Sequence, residues 1–408
     1  MRLLFLSNLY PPHDLGGYEQ LCQEAADALR ARGHAVHVLT SRFGAVGDPE
    51  QDGNVTRSLY LQADVDHYRP ADVLFRRARE RANARELRLA IERFSPDLAV
   101  VWGMWNLSRE VPYWAEQWLP GRVAYYISSY WPSDPDVHEQ YWRAPANRPA
   151  VGALLRPLGE RVIRQVRAER AAHPLRLEEA RCCSRYVRDT LVRSGSLPDA
   201  AQVLYCGIDP APFASQTPGQ HNGPLRLLYF GSLLPHKGVH TAVEALGLLR
   251  ERGLSDRVHL TLLGGGHPDY VARLHRLVGD LGLGDRVEFA GRVPRAEVAG
   301  RLAEHDVFLF TSIWAEPLAR TVMEAMAAGL LVIGSEVGGQ TEMLADGENA
   351  LTFRPEDAAT LAEQIARVLA EPALGRRLAE AGRQMALERF TTRRMVDGLE
   401  AWLAEMAA

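Results

Sequence analysis

Two carboxylates eight positions apart, Glu316 and Glu324, are the residues of this chain whose type and spacing most directly suggest chemistry. They lie in SIWAEPLARTVMEAMAAGLLVIGSEVGGQTE, residues 312–342. The apolar run VFLF just before it, residues 307–310, reads as a buried parallel strand. Glu316 then falls in the loop at that strand's carboxyl end, where it can accept hydrogen bonds from a sugar. The helix formers TVMEAMAA follow and stop at Gly329. Amides near Ala319, Arg320 and Thr321 stand at the N-terminus of this helix, where unpaired N–H groups and the helix dipole favour an anion. Glu324, about one turn inside, can accept from vicinal hydroxyls as the ribose carboxylate of dinucleotide folds does.

The elements that must position these groups repeat one pattern. LRLLYFG ends at Gly231, Ser232 follows, and a helix begins after Gly238. Lys237 sits in that turn, and its ammonium is a point charge suited to phosphate. The chain opens in the same way. RLLFLSN is a first strand, a helix runs from about Tyr18 to Arg32, Gly33 ends it, and HAVHVLT is the next strand. The Gly16-Gly17 pair lets backbone approach a ligand at the helix start. PDLAVVWGMW leaves Trp102, Trp105 and Asn106 at a strand's carboxyl end, where open sheets bind ligands. RVAYYISSYW does the same for Ser128 and Ser129, and RVEFAGRVP for Arg292 and Val293. FRRARERANARELRLAIERF and the arginines at 156, 161, 164, 167 and 170 read as solvated helix faces. Contact of that second cluster with an anionic acceptor or membrane headgroups is the sharper alternative. Ser184 is read as a helix N-cap, and residues 215–224 as an interdomain linker.

A chain of 408 residues is long enough for two domains, and a net charge of -4 argues against a general nucleic-acid binder. Cys22, Cys182, Cys183 and Cys206 have no metal spacing and are expected as free thiols in a reducing cytoplasm. No stretch of eighteen apolar residues is present. The expected location is cytoplasmic, with a place at the inner face of the membrane compatible. Asp134 and Asp136 flank Pro135 and read as loop chemistry, so no obligatory metal is expected.

The ordered pattern EP…EAMAAG…GG..E resembles the Glu-x(seven)-Glu motif of retaining glycosyltransferases of the GT-B fold, family 4. The resemblance covers nearly the whole chain. It implies an α/β protein of two doubly wound Rossmann-like domains facing a central cleft. These would be an acceptor domain, 1–214, and a nucleotide-sugar donor domain, 222–390, with a last helix, 391–408, packing back on the first. It also implies a sugar moved from a nucleotide sugar to an acceptor hydroxyl with retention. Uridine is the first expectation for the base and guanosine the second. Glu316 would bind the donor sugar and Glu324 the ribose. Lys237, the helix start at Thr321 and the Gly16-Gly17 amides would hold the diphosphate. Arg292 and Val293 would lie at the nucleobase.

Trp105, Asn106, Ser128 and Ser129 are the acceptor candidates, for a natural product, a glycan or a lipid-linked acceptor. No cofactor is implied, the nucleotide sugar being a co-substrate. The chain departs from the family at four places. Ser232 stands for an Arg, with Arg320 as a substitute cation. Ser128-Ser129 stand for a His-Asp pair and Cys206 for an Asn. Ala319 stands for a Gly, which would be costly if the position needs a positive φ. An epimerase or phosphorylase on the same fold, and an inactive nucleotide-sugar-binding partner subunit, are the alternatives.

Overall fold

A computed structural model describes residues 1–13, 16–44, 50–65, 67–144, 149–213 and 223–408. The chain forms two compact units. One comprises 1–183, 187–204 and 396–408; the other comprises 184–186 and 205–395. Most of the linker expected at 215–224 lies outside the described residues.

The first unit is built on strands β1 (Arg2–Ser7), β2 (Ala35–Ser41), β3 (Glu50–Asp52), β4 (Val55–Leu59), β5 (Leu98–Gly103), β6 (Val123–Ile127), β7 (Glu179–Cys182) and β8 (Gln202–Val203). Their order is β3-β4-β2-β1-β5-β6-β7-β8, parallel throughout except for β3 against β4. β1 shows why: Leu3, Leu4, Phe5 and Leu6 are all fully buried, which only a strand covered on both faces permits. It pairs Phe5 with Val38 of β2 on one side and with Val100 of β5 on the other. The chain therefore reverses direction across the sheet at β1, and the ligand crevice of such a sheet lies beyond the carboxyl ends of β1 and β5.

The helices of this unit are α1 (Gly17–Ala31), α2 (Asp72–Phe94), α3 (Glu110–Trp118), α4 (Val137–Arg143), α5 (Pro149–Ala172) and most of α6 (Arg185–Arg193). α2 is not simply a solvated face. Arg76 and Glu80 are buried and paired 3.2 Å apart, and Arg76 also meets Glu169 of α5. In α5, Arg156 makes only a surface pair with Glu160, whereas Arg170 donates to the carbonyls of Pro132 and Asp134. Trp102 is fully buried, stacked with Phe5 and Tyr126, so it is core and not a cleft residue. No disulfide joins the four cysteines, and all of them are buried.

The second unit repeats the plan with β9 (Leu225–Phe230), β10 (Val258–Leu263), β11 (Val287–Gly291), β12 (Val307–Phe310), β13 (Leu331–Ser335) and β14 (Leu351–Phe353). The order is β11-β10-β9-β12-β13-β14 and every pairing is parallel. Its helices are α7 (Val239–Glu251), α8 (Pro268–Asp280), α9 (Val298–Ala303), α10 (Arg320–Ala327), α11 (Ala358–Ala370) and α12 (Pro372–Arg389). The reversal here lies between β9 and β12, which pair Leu227 with Val307.

The last helix, α13 (Thr392–Ala407), belongs to the first unit from residue 396 on. Its Val396, Leu399, Trp402 and Leu403 are buried. The Trp402 indole donates to Glu179. Glu400 takes Arg32 at 2.6 Å and His34 at 2.7 Å.

Candidate active site

Lys237 follows β9 and Glu316 follows β12, so the two side chains emerge at the carboxyl ends of neighbouring strands. They form an ion pair through Glu316 Oε1. The Ser312 hydroxyl donates to the same oxygen at 3.1 Å. Glu316 is buried, and the ammonium side chain is 26% exposed, enough to present charge beyond the pair.

The loops around them are interlocked by backbone. Thr311 Oγ1 donates to the Lys237 carbonyl at 2.8 Å, and the Gly339 N–H donates to the Glu316 carbonyl at 2.8 Å. The glycines explain themselves by distance. A Cβ on Gly339 would lie 1.9 Å from the Pro317 oxygen. One on Gly338, which has φ +57°, would lie 2.2 Å from the Glu316 oxygen.

Glu324 lies inside α10 and is 2% exposed. Its Oε1 pairs with Arg295 at 2.5 Å, while Oε2 is buried with no hydrogen-bond partner. A buried carboxylate oxygen without a donor costs about 1–3 kcal/mol. Arg320 and Thr321 are the first residues of α10, as the helix start requires. Ala319 caps that helix at φ -77°, so no positive φ is needed and the Gly-to-Ala departure carries no backbone strain. Ser232 is exposed after Gly231. Arg292 is exposed and lies against Gly265, and Val293 is half-buried beside it. His236, next to Lys237, is held below the usual histidine range by burial and then by the lysine's charge.

Arg295 and Glu342 were not among the expected site residues. Arg295 sits 29 positions from Glu324 in a short helical turn, and nothing local in the sequence marks the contact. Glu342 closes the 312–342 segment. Its carboxylate accepts the Arg185 and Tyr186 N–H groups and the Tyr205 hydroxyl, and Ser184 donates to the Pro317 carbonyl at 2.7 Å. These bonds tie residues 184–186 to the second unit.

In the first unit, Gly16 caps α1 in extended backbone, and a Cβ there would meet nothing within 4 Å. Gly17 opens the helix. Tyr18 packs on Gly103 so closely that a Cβ on Gly103 would lie 2.0 Å from the hydroxyl. Burial raises the Tyr18 pKa well above the usual value, and its hydroxyl sits beside Ser128. Ser128 and Ser129 are half-buried just after β6. Asn106 is spent inside the protein: its amide bonds both backbone groups of Ala63, at 3.1 and 2.9 Å. Of that pair only Trp105, 38% exposed, is presented to solvent. Asp136 caps α4 through the His138 N–H. Among the described residues no group of three or more His, Cys, Asp or Glu is placed to hold a metal ion. Nor is any described helix long and apolar enough to cross a membrane.

Two Rossmann-like units, each a largely parallel sheet whose strand order reverses, give the GT-B architecture. Residues 15–212 match the family described as Glycosyltransferase Family 4, and residues 212–385 match Glycosyl transferases group 1. The chain belongs to the group 1 glycosyltransferases. It is 29% identical to the glycogen synthase of Mycobacterium tuberculosis, over 96% of this chain and 91% of that protein. It is 28% identical to a GDP-mannose-dependent alpha-(1-6)-phosphatidylinositol monomannoside mannosyltransferase of Mycolicibacterium smegmatis, over 52% of this chain and 58% of that protein. Among solved structures, the sucrose-phosphate synthase of Thermosynechococcus elongatus superposes with TM-score 0.71 at 22% identity, covering 99% of this chain and 98% of the other. Anabaena HepE in complex with UDP-glucose gives TM-score 0.68 at 20% identity, covering 99% of both chains.

Proposed function

We propose that this glycosyltransferase takes a hexose from a nucleotide sugar and places it on an acceptor hydroxyl with retention at the anomeric carbon. The observation that carries the reading is Glu324. It is a buried carboxylate with one oxygen lacking a donor, one turn into the helix that follows the Lys237–Glu316 pair. A ribose supplies the missing donors from its vicinal hydroxyls. Lys237 and the N–H groups that open α10 then meet the diphosphate, and Glu316 accepts from donor-sugar hydroxyls.

In the reaction the bond from the anomeric carbon to the phosphate oxygen breaks, and the bond to the acceptor oxygen forms on the same face. The leaving phosphate takes the acceptor's proton. Stabilising that phosphate is the work of the lysine and the helix terminus, and the scheme requires neither a protein nucleophile nor a metal. UDP is the favoured nucleotide, in line with the Anabaena protein solved with UDP-glucose. GDP stands second, in line with the mannosyltransferase relative. A cytoplasmic location belongs to the same reading.

The test is thermal unfolding with a panel of nucleoside diphosphates and nucleotide sugars. A ligand at a hundred times its Kd adds about 2.7 kcal/mol of stability. A shift with one base that disappears in Glu324→Gln supports the reading; no shift with any nucleotide overturns it.

A further inference from the structure

The first unit holds a cavity of about 390 Å³ that the donor chemistry does not use. It lies past the carboxyl ends of β5 and β6, between the segment that carries Trp105 and Arg109 and the turn from Trp131 to Asp136. Three features of its wall point to one kind of occupant. Trp105 is 38% exposed, an indole offered to solvent at the rim. Deeper in, Arg109 lies over the Trp131 ring, 5.8 Å from its centroid. Arg109 Nε and Trp131 Nε1 are both buried N–H groups without an acceptor, and Trp131 is only 4% exposed. Burial drops the Arg109 pKa to about 10, the sign of a guanidinium removed from water with little in return.

The charges of the wall decide between an anionic and a neutral occupant. Asp64, Asp134 and Asp136 line the cavity against Arg109 and Arg170. Three carboxylates opposing two guanidiniums make no positive field for a phosphate or a lipid headgroup. The wall instead offers donors and acceptors side by side with flat apolar rings. A sugar ring matches both, because its hydroxyls give and take hydrogen bonds while its C–H face covers an indole.

We infer that this cavity binds a saccharide unit of the acceptor, with Trp105 as its platform and Arg109 and Trp131 donating to its oxygens. The inference rests on the glycosyl-transfer reading and names the acceptor class within it.

The experiment uses the intact chain and a panel of linear oligosaccharides of glucose, galactose and mannose, with binding followed by saturation-transfer NMR. At least one member binds at millimolar concentration. Trp105→Ala and Arg109→Met each weaken it about tenfold or more. Trp105→Phe, which keeps a flat ring, restores most of it. Nucleotide-induced stabilisation is unchanged in all three, which also shows that they fold. Three results overturn the inference. No oligosaccharide binds the wild type; binding ignores both substitutions; or vesicles containing a polyprenyl phosphate bind in the saccharides' place with the same sensitivity. A wild type that binds saccharide but no nucleotide would sink the donor reading and leave this cavity's assignment standing.

Discussion

Lys237 and Glu316, 79 positions apart in sequence, meet as an ion pair at the ends of adjacent strands. Each charge holds the other in place, and the Ser312 hydroxyl fixes the carboxylate from a third direction. A lysine without such a partner would sample many rotamers; here the carboxylate holds its ammonium in one place.

The pair should behave as a unit. Glu316→Gln and Lys237→Ala are each expected to lower kcat by about 10²–10³. The double variant should cost little more than the worse single one, because groups that act together are not additive. Steady-state release of nucleoside diphosphate measures this, and losses that multiply independently would show that the two act apart.

Arg295 and Glu324 should separate stability from binding. Arg295→Ala leaves the buried carboxylate without its cation and is expected to cost about 1–3 kcal/mol in the unliganded protein. The stabilisation by nucleotide should survive, because the Oε2 atom offered to a ligand is untouched. Calorimetry with and without nucleoside diphosphate reads both quantities; loss of the nucleotide shift in Arg295→Ala would make the arginine a ligand contact in its own right.

Two glycines should part company. Gly339→Ala forces a Cβ to within 1.9 Å of the Pro317 oxygen, backbone that cannot step aside, and is expected to destabilise by about 2–4 kcal/mol in urea titration. Gly16→Ala meets open space in extended backbone and should change stability by no more than about 0.5 kcal/mol. If ligand backbone approach at Gly16 is used in catalysis, its donor KM rises all the same.

Glu400 gives a pH signature. Its carboxyl is held below the usual value of 4.5 by hydrogen bonds from His34 and then Arg32. A depressed folded-state pKa means that its contribution is complete above the unfolded value and is lost as pH falls through the folded one. Glu400→Gln should therefore melt below wild type at neutral pH, and the gap should close in strong acid. A gap that persists there would assign the effect to packing of α13.

The sequence carried the architecture because parallel strands buried on both faces are runs of apolar residues. VFLF and RLLFLS are legible without neighbours. Lys237, Glu316 and Glu324 were legible because their place relative to strand ends and helix starts is local. What was not legible depends on partners distant in sequence. Asn106 has the look of a ligand residue, yet its amide is consumed by Ala63, 43 positions away. Trp102 sits at a strand's carboxyl end like Trp105 but turns into the core. The cost of Ala319 hinged on one dihedral, and φ proved to be -77°. Arg295 and Glu342 act only through contacts that tertiary structure creates.

The first unit takes its final helical segment, residues 396–408, from the end of the chain. A ribosome delivers those residues only after all of 205–395 has been made. The half begun first is thus finished last, and until then the side of β7 and of the α1–β2 turn that Trp402 and Glu400 will cover stays open to water. The second unit needs from upstream only the tripeptide 184–186, already synthesised, so it can close while its predecessor waits. Removal of residues 396–408 would therefore injure the first unit and spare the second, although the second is the nearer of the two in sequence.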